Sequence, residues 1–303
     1  MELLRALEGI RSPFLDTVFG YITLLGEETV AIVLLCLIYW CVNKRTAYVI
    51  GVAYFFSGLA IQTMKISFQI NRPWIIDPTL NPVAAAIPAS TGYSFPSGHT
   101  QSATALFGTL GLKTRDGLAK LACLLVVLLV AFSRLYLGVH TLLDVGVSLI
   151  ITTLIILIVA KIVSGDKTNK MRELIVALIL VICAIAVIAV AVTMYSNGTI
   201  EQNYLTDCLK AAGAGIGFAI GMFIERSYID FSVRTKNILW QIIKLVVGIA
   251  GVLVIKEGLK LVLGTGFVVD TARYFLISTW ITIFFPLLIK RFFAKTKSTS
   301  KRT

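Results

Sequence analysis

The sequence predicts an all-α fold: a polytopic integral membrane helical bundle of about nine transmembrane helices behind an N-terminal interfacial helix. Three observations carry that expectation. Hydrophobic residues make up 57% of the 303 residues and charged ones 15%, against roughly 25% charged in soluble domains, and the mean hydropathy is +0.87. Apolar runs near the roughly 20 residues that a bilayer demands recur along the whole chain. The 28 lysines and arginines, against 16 acidic residues, gather in alternate connections between those runs. In a soluble chain the net charge of +12 would suggest nucleic acid. Here it reads as loops beside an anionic bilayer, and no nucleic-acid partner is expected.

Residues 1–27 come first. Leu3, Leu4, Leu7 and Ile10 form one helical stripe, Ser12 and Pro13 interrupt it, and Phe14, Leu15, Val18, Phe19 and Ile22 form another. Two short amphipathic pieces suit a helix lying in the interface better than a further span. Glu2 and Glu8 stand where a signal peptide would carry basic residues, so a cleaved signal is not expected. Runs at 28–43, 46–66, 97–113, 117–137 and 141–164 then make one unit, 28–164, in which the first and third runs are short. Runs at 172–195, 208–225, 237–262 and 268–290 make a second unit, 165–303. Its Gly213, Gly217 and Gly221 recur every four residues, a close-packing face that seats the helix against the core or makes a homodimer, two alternatives that the sequence leaves open. Lys244, inside an apolar run, is expected to snorkel or to pair with Glu225. Cys36, Cys41, Cys123, Cys183 and Cys208 are scattered without metal-ligand spacing and read as packing residues.

Basic residues mark the cytoplasmic side. Lys44 and Arg45, Lys113 to Lys120, Lys161 to Arg172, Arg226 to Lys236 and the tail from Lys290 to Arg302 all fall on one side, which places the C-terminus in the cytoplasm and the N-terminal helix outside. Lys65, Arg72 and Arg134 defy the bias, and they lie in or beside the two outer connections 65–97 and 134–140. Something on that side requires positive charge.

Those connections also hold the chain's 2 histidines. Lys65 and Arg72, seven apart, share one face of a helix before Pro73 ends it, a clamp for an anion. Pro96 and Gly98 bend the chain just ahead of a new span, so the Ser97 hydroxyl and the first backbone N–H groups can face an anion, with His99 beside it. His140 and Asp144 stand four apart, so that on a helix the carboxylate accepts the imidazole's second N–H and fixes its tautomer. Arg134 precedes them across a turn loosened by Gly138. Each fragment has a bland reading, from snorkelling cations to a helix-stabilising His/Asp pair. Their convergence on one side of the membrane argues against it.

Lys-x6-Arg-Pro, Pro-Ser-Gly-His and Ser-Arg-x5-His-x3-Asp, read at Lys65, Arg72, Pro73, Pro96 to His99, Ser133, Arg134, His140 and Asp144, resemble the signature of the type-2 phosphatidic acid phosphatase superfamily of membrane lipid phosphatases. The resemblance covers residues 1–164, making 28–164 the catalytic core and 165–303 accessory. It implies a hydrolysis without metal or cofactor. His140, oriented by Asp144, would attack phosphorus to form a phosphohistidine; His99 would protonate the leaving oxygen and then activate water. Lys65, Arg72, Arg134 and the Ser97–Gly98 backbone would bind the phosphoryl oxygens.

The substrate expected is a membrane lipid phosphate or diphosphate of the undecaprenyl diphosphate, phosphatidylglycerophosphate or phosphatidic acid type. The enzyme is expected as a multi-pass protein of the cytoplasmic membrane with its site facing outside, or of the endoplasmic reticulum if the source is eukaryotic. The layout of nine spans is also similar to that of glucose-6-phosphatase, and sphingosine-phosphate phosphatases carry extra spans, so a soluble ester such as glucose-6-phosphate, or sphingosine phosphate, is an alternative. An anionic-lipid transporter or flippase is the alternative from another class; the absence of evident inverted repeats speaks against it. The Pro-rich stretch 74–93, with Val83 and Ile87, is either a lipid gate at the interface or a structured cap.

Overall fold

The computed structural model describes residues 1–163, 169–235 and 237–293, so that Lys167, Lys236 and the tail cations from Lys295 to Arg302 lie outside the described residues. Every regular element among the described residues is a helix. In order they are α1 (Glu2–Gly9), α2 (Pro13–Leu24), α3 (Glu28–Val42), α4 (Lys44–Phe68), α5 (Pro73–Ile76) and α6 (Gly98–Ala103), which continues helically through Lys113. Then come α7 (Gly117–Tyr136), α8 (Leu142–Val163), α9 (Lys170–Ser196), α10 (Gln202–Ile229), α11 (Ile238–Leu263) and α12 (Phe267–Phe292).

Among the described residues 7 helices are long and apolar enough to span a bilayer, or 8 if α2 and α3, which meet at a 49° bend, are taken as one span. Helices therefore occupy all the segments read as spans, but the short runs at 28–43 and 97–113 do not reach spanning length alone. Asn43, Asp116, Asn169 and Asn237 accept backbone N–H bonds at the starts of α4, α7, α9 and α11. All four caps stand at the basic-loop end, where the chain re-enters the bundle and the first N–H groups need acceptors.

The N-terminal segment is seated on the bundle. Leu4 and Leu7 of α1 pack with Leu80, Ala131 and Leu135, Phe19 of α2 stacks against Phe132 and Tyr136, and the Tyr136 hydroxyl donates to Asp16 at 2.9 Å. The stretch 74–93 packs as a cap here: the Val83 N–H donates to Leu137 O at 3.0 Å, and its side chain joins Ala86, Tyr136, Leu137 and Val139 in a small core.

Helix α4 is the shared element, contacting α8 of the N-terminal unit and α9 and α10 of the C-terminal one. The glycine stripe has its partner inside the chain. A Cβ at Gly213 would stand 2.6 Å from Thr271 O and one at Gly217 2.6 Å from Phe275 O, both on α12. Glycine is what lets these two backbones touch. At the basic-loop end, Lys44 Nζ pairs with Glu225 Oε1 at 3.1 Å and with Asp230, and Arg226 Nη1 with Glu173 Oε2 at 3.0 Å. Lys244 neither snorkels nor meets Glu225. It is fully buried and donates to Val233 O at 2.8 Å, while Glu225 pairs with Lys44.

Candidate active site

Helix α4 ends at Phe68, and Gln69 takes a left-handed conformation (φ 51°). Arg72 therefore stands at the N-cap of α5, off the helix that carries Lys65, and the expectation of one shared helical face is corrected. The two cations meet because one loop aims both. Lys65 Nζ donates to Tyr93 O at 2.7 Å; Arg72 Nε donates to Gly92 O at 3.0 Å and Nη2 to Thr91 O at 2.6 Å. Arg72 Nη1 then reaches Val139 O at 3.1 Å and His140 Nε2 at 2.8 Å.

His140 sits in the turn between α7 and α8, ahead of Leu142, so it is not on a helix with Asp144. Gly138 makes that turn with φ 76°, where a Cβ would also strike the Arg11 guanidinium; the position is fixed rather than loosened. Thr141 N–H donates to Asp144 Oδ2 at 2.7 Å while Asp144 N–H donates to Thr141 Oγ1 at 3.3 Å, folding the carboxylate back under the imidazole. Asp144 Oδ2 thus lies 3.4 Å from His140 Nδ1 and accepts the Ser94 hydroxyl at 2.6 Å. Arginine has only donors, so His140 Nε2 must be the acceptor, and the proton of the neutral ring belongs on Nδ1, facing Asp144. Burial first, then the Arg72, Arg134 and Lys65 cations, hold the His140 pKa well below that of an ordinary imidazole.

Ser97 is the N-cap of α6. Its hydroxyl accepts from Thr100 N–H at 3.4 Å and from the Thr100 hydroxyl at 3.0 Å, its N–H donates to Asp144 O at 3.1 Å, and its carbonyl accepts from Ser148 at 2.7 Å. These bonds lock the start of α6 to the start of α8. His99 follows, and its Nε2 is shielded from solvent with no hydrogen-bond partner among the described residues. The bend between α2 and α3 presses on it: a Cβ at Gly26 would come 2.7 Å from His99 O.

Lys65, Arg72, Gly98, His99 and His140 line one pocket of about 160 Å³, joined by Thr91, Gly92 and Tyr93. Asp144 stands behind His140. Arg134 and Ser97 lie one layer back: Arg134, 1% exposed, donates to Thr23 Oγ1 at 2.8 Å and Ser90 Oγ at 2.9 Å, and neither residue lines the pocket. The arrangement brings a histidine lone pair, a second histidine and two cations to the lining of one pocket, a set that suits attack on a phosphoryl group.

Three contributors escaped the sequence reading. Ser94 stands two residues before the Pro-Ser-Gly-His motif, and nothing local shows that its hydroxyl reaches Asp144. Tyr204 and Asp207 come from α10 and line the same pocket. A carboxylate at the outer end of an apolar run was the available signal for Asp207.

The model of the PAP2 superfamily matches residues 45–168, and that of the PAP2 superfamily phosphatase transmembrane extension matches residues 209–297. No curated protein and no solved structure matches the chain.

Proposed function

The chain belongs to the PAP2 superfamily and carries its transmembrane extension, and from that premise we propose that it is a phosphatase of lipid phosphates working through a phosphohistidine. Membership supports a membrane phosphatase in general. The finer reading rests on one observation above the rest: His140 Nε2, its lone pair turned to Arg72 at 2.8 Å and its other nitrogen backed by Asp144, shares a pocket with the unpartnered Nε2 of His99.

The substrate phosphoryl group draws Arg72 from His140 Nε2 onto its own oxygens, with Lys65 beside it, which frees the lone pair for attack. His140 Nε2 bonds to phosphorus as the phosphorus–oxygen ester bond breaks, and His99, protonated once the substrate's negative charge offsets the cations beside it, gives its proton to the departing oxygen. Asp144 stabilises the charge on His140 through Nδ1–H. His99, now neutral, takes a proton from water as that water attacks phosphorus, releasing phosphate and restoring His140. Arg134 acts from behind, through the Ser90 and Thr23 hydroxyls and its charge. The site faces the extracytoplasmic side, as the basic residues argue.

The test is phosphate release by the purified protein, with EDTA present, from undecaprenyl diphosphate, phosphatidylglycerophosphate, phosphatidic acid, sphingosine phosphate and glucose-6-phosphate, with acid-quench trapping of labelled enzyme. Release that ignores EDTA, with label on His140, is the expected result. No release from any substrate would reject the reading in favour of binding or transport.

A further inference from the structure

A second cavity, about 300 Å³, adjoins the phosphate pocket and shares Gln62, Lys65, Thr91, Gly98 and Asp207 with it. Its walls come from both halves of the chain: α3, α4 and α6 on one side, α10 and α12 on the other. The end beside Lys65 is polar, with Glu28, Asp207, Lys210 and Tyr274; the far end is apolar, with Ile50, Leu106, Phe218 and Ile281. Phe218 lies three turns beyond Asp207 on α10, so the cavity reaches on the order of 16 Å along the bundle. Asp207 Oδ1 is 3.7 Å from Lys210 Nζ, too long for a strong hydrogen bond, and its side chain keeps 37% of its surface open. Helix α10 also braces the catalytic loop, because Tyr204 stacks on Tyr93 with ring centroids 4.1 Å apart and planes at 7°.

We propose that this cavity, built jointly by the core and the C-terminal spans, is the leaving-group subsite. It rests on the phosphatase reading and sharpens it. The cavity takes a single slender chain whose atoms next to the ester oxygen carry a hydrogen-bond donor, a hydroxyl or an ammonium. Asp207 accepts from that donor, and the apolar remainder runs between α4 and α10. A phosphate seated on Lys65 and Arg72 places its leaving oxygen near Gly98 and His99, at the mouth of this cavity, with Asp207 common to both spaces. The polar mouth with an apolar end matches an amphiphile better than a sugar, which would leave the apolar end unfilled.

The experiment compares kcat/KM on three single-chain substrates in detergent: sphingosine phosphate, with an ammonium; lysophosphatidic acid, with a hydroxyl; and hexadecyl phosphate, with neither. Asp207→Asn is expected to lower kcat/KM for donor-bearing substrates about tenfold more than for hexadecyl phosphate. A larger loss on sphingosine phosphate identifies the ammonium, and equal losses on the first two identify the hydroxyl. Ala214→Phe, which fills the middle of the cavity, is expected to lower turnover of hexadecyl phosphate at least tenfold more than that of p-nitrophenyl phosphate. Equal losses across all substrates in both variants would overturn the subsite and leave α10 a purely structural role. Absence of turnover in the unaltered protein would instead overturn the phosphatase reading itself.

Discussion

The basic-loop end of the bundle and the pocket at its other end both bury charge, and they do so in opposite ways. At the basic-loop end Lys44, Arg226, Glu173 and Glu225 neutralise one another in direct pairs. At the other end, among the described residues, Lys65, Arg72 and Arg134 have no carboxylate within salt-bridge distance; carbonyls of residues 91–93 and 139 and the hydroxyls of Thr23 and Ser90 hold them instead. A buried pair is self-sufficient, whereas a buried cation held only by dipoles keeps most of its attraction for an anion. The first arrangement joins helices, and the second leaves cations whose attraction for an anion is not used up within the protein.

That contrast can be broken in several ways. The largest effect belongs to His140→Ala, expected to cut turnover by about four orders of magnitude or more while the protein still inserts and folds; a rate within tenfold of the unaltered enzyme would end the assignment. Arg72→Ala should cost on the order of 10²–10³ in turnover. It should also remove the rise in Tm that inorganic phosphate or vanadate gives the unaltered protein by mass action, and a preserved rise would show that the cations do not bind the anion. Glu225→Ala, at the paired end, leaves Lys44 with Asp230 and the Phe231 carbonyl but strips the buried Phe231 N–H of its acceptor, and should lower stability by about 1–3 kcal/mol while turnover per folded molecule holds. A selective loss of activity there would erase the distinction between the two ends.

The smallest effect is on pH dependence. Burial and the surrounding cations disfavour the His140 imidazolium, so His140 stays a neutral nucleophile below the pH at which an ordinary imidazole would protonate. Lys65, Arg72, Arg134 and His99 all push this way. Arg134→Met removes one of them, so His140 should protonate more readily and the acid limb of kcat/KM should move to higher pH. A limb that stays put, or moves to lower pH, would show that Arg134 does not act on His140.

Most of the residues that meet in the pocket were legible in the sequence because their motifs are local. His99 follows a Pro-Ser-Gly turn as read, whereas His140 and Asp144, four apart, meet through the turn at Thr141 and not on one helix. The way they meet was less legible. Lys65 and Arg72 looked like one helical face, but the left-handed Gln69 ends the helix, and backbone carbonyls bring the two cations together. Arg134 looked like a phosphate ligand by its place in a motif; Nη1 meets Thr23 and Nη2 meets Ser90, and Nε is buried with no partner among the described residues. Tyr204 and Asp207 stood far along the chain, and only the packing of α10 on α4 carries them to the pocket. The long spans were readable from hydropathy, whereas the bend that joins α2 to α3 was not, since Gly26 acquires its purpose only against the backbone of His99.

The hydrogen bond from Arg72 to His140 Nε2 has a consequence for chemical labelling. An imidazole nitrogen whose lone pair is already engaged by a guanidinium is a poor target for neutral electrophiles, so acylating and alkylating reagents should find His140 sluggish. A reagent bearing a dianionic group that competes for Arg72 would unmask the nitrogen as it docks. Inhibitors of this protein would then sort by charge before they sort by reactivity, with a phosphonate that carries a mild alkylating group labelling it faster than aggressive uncharged reagents.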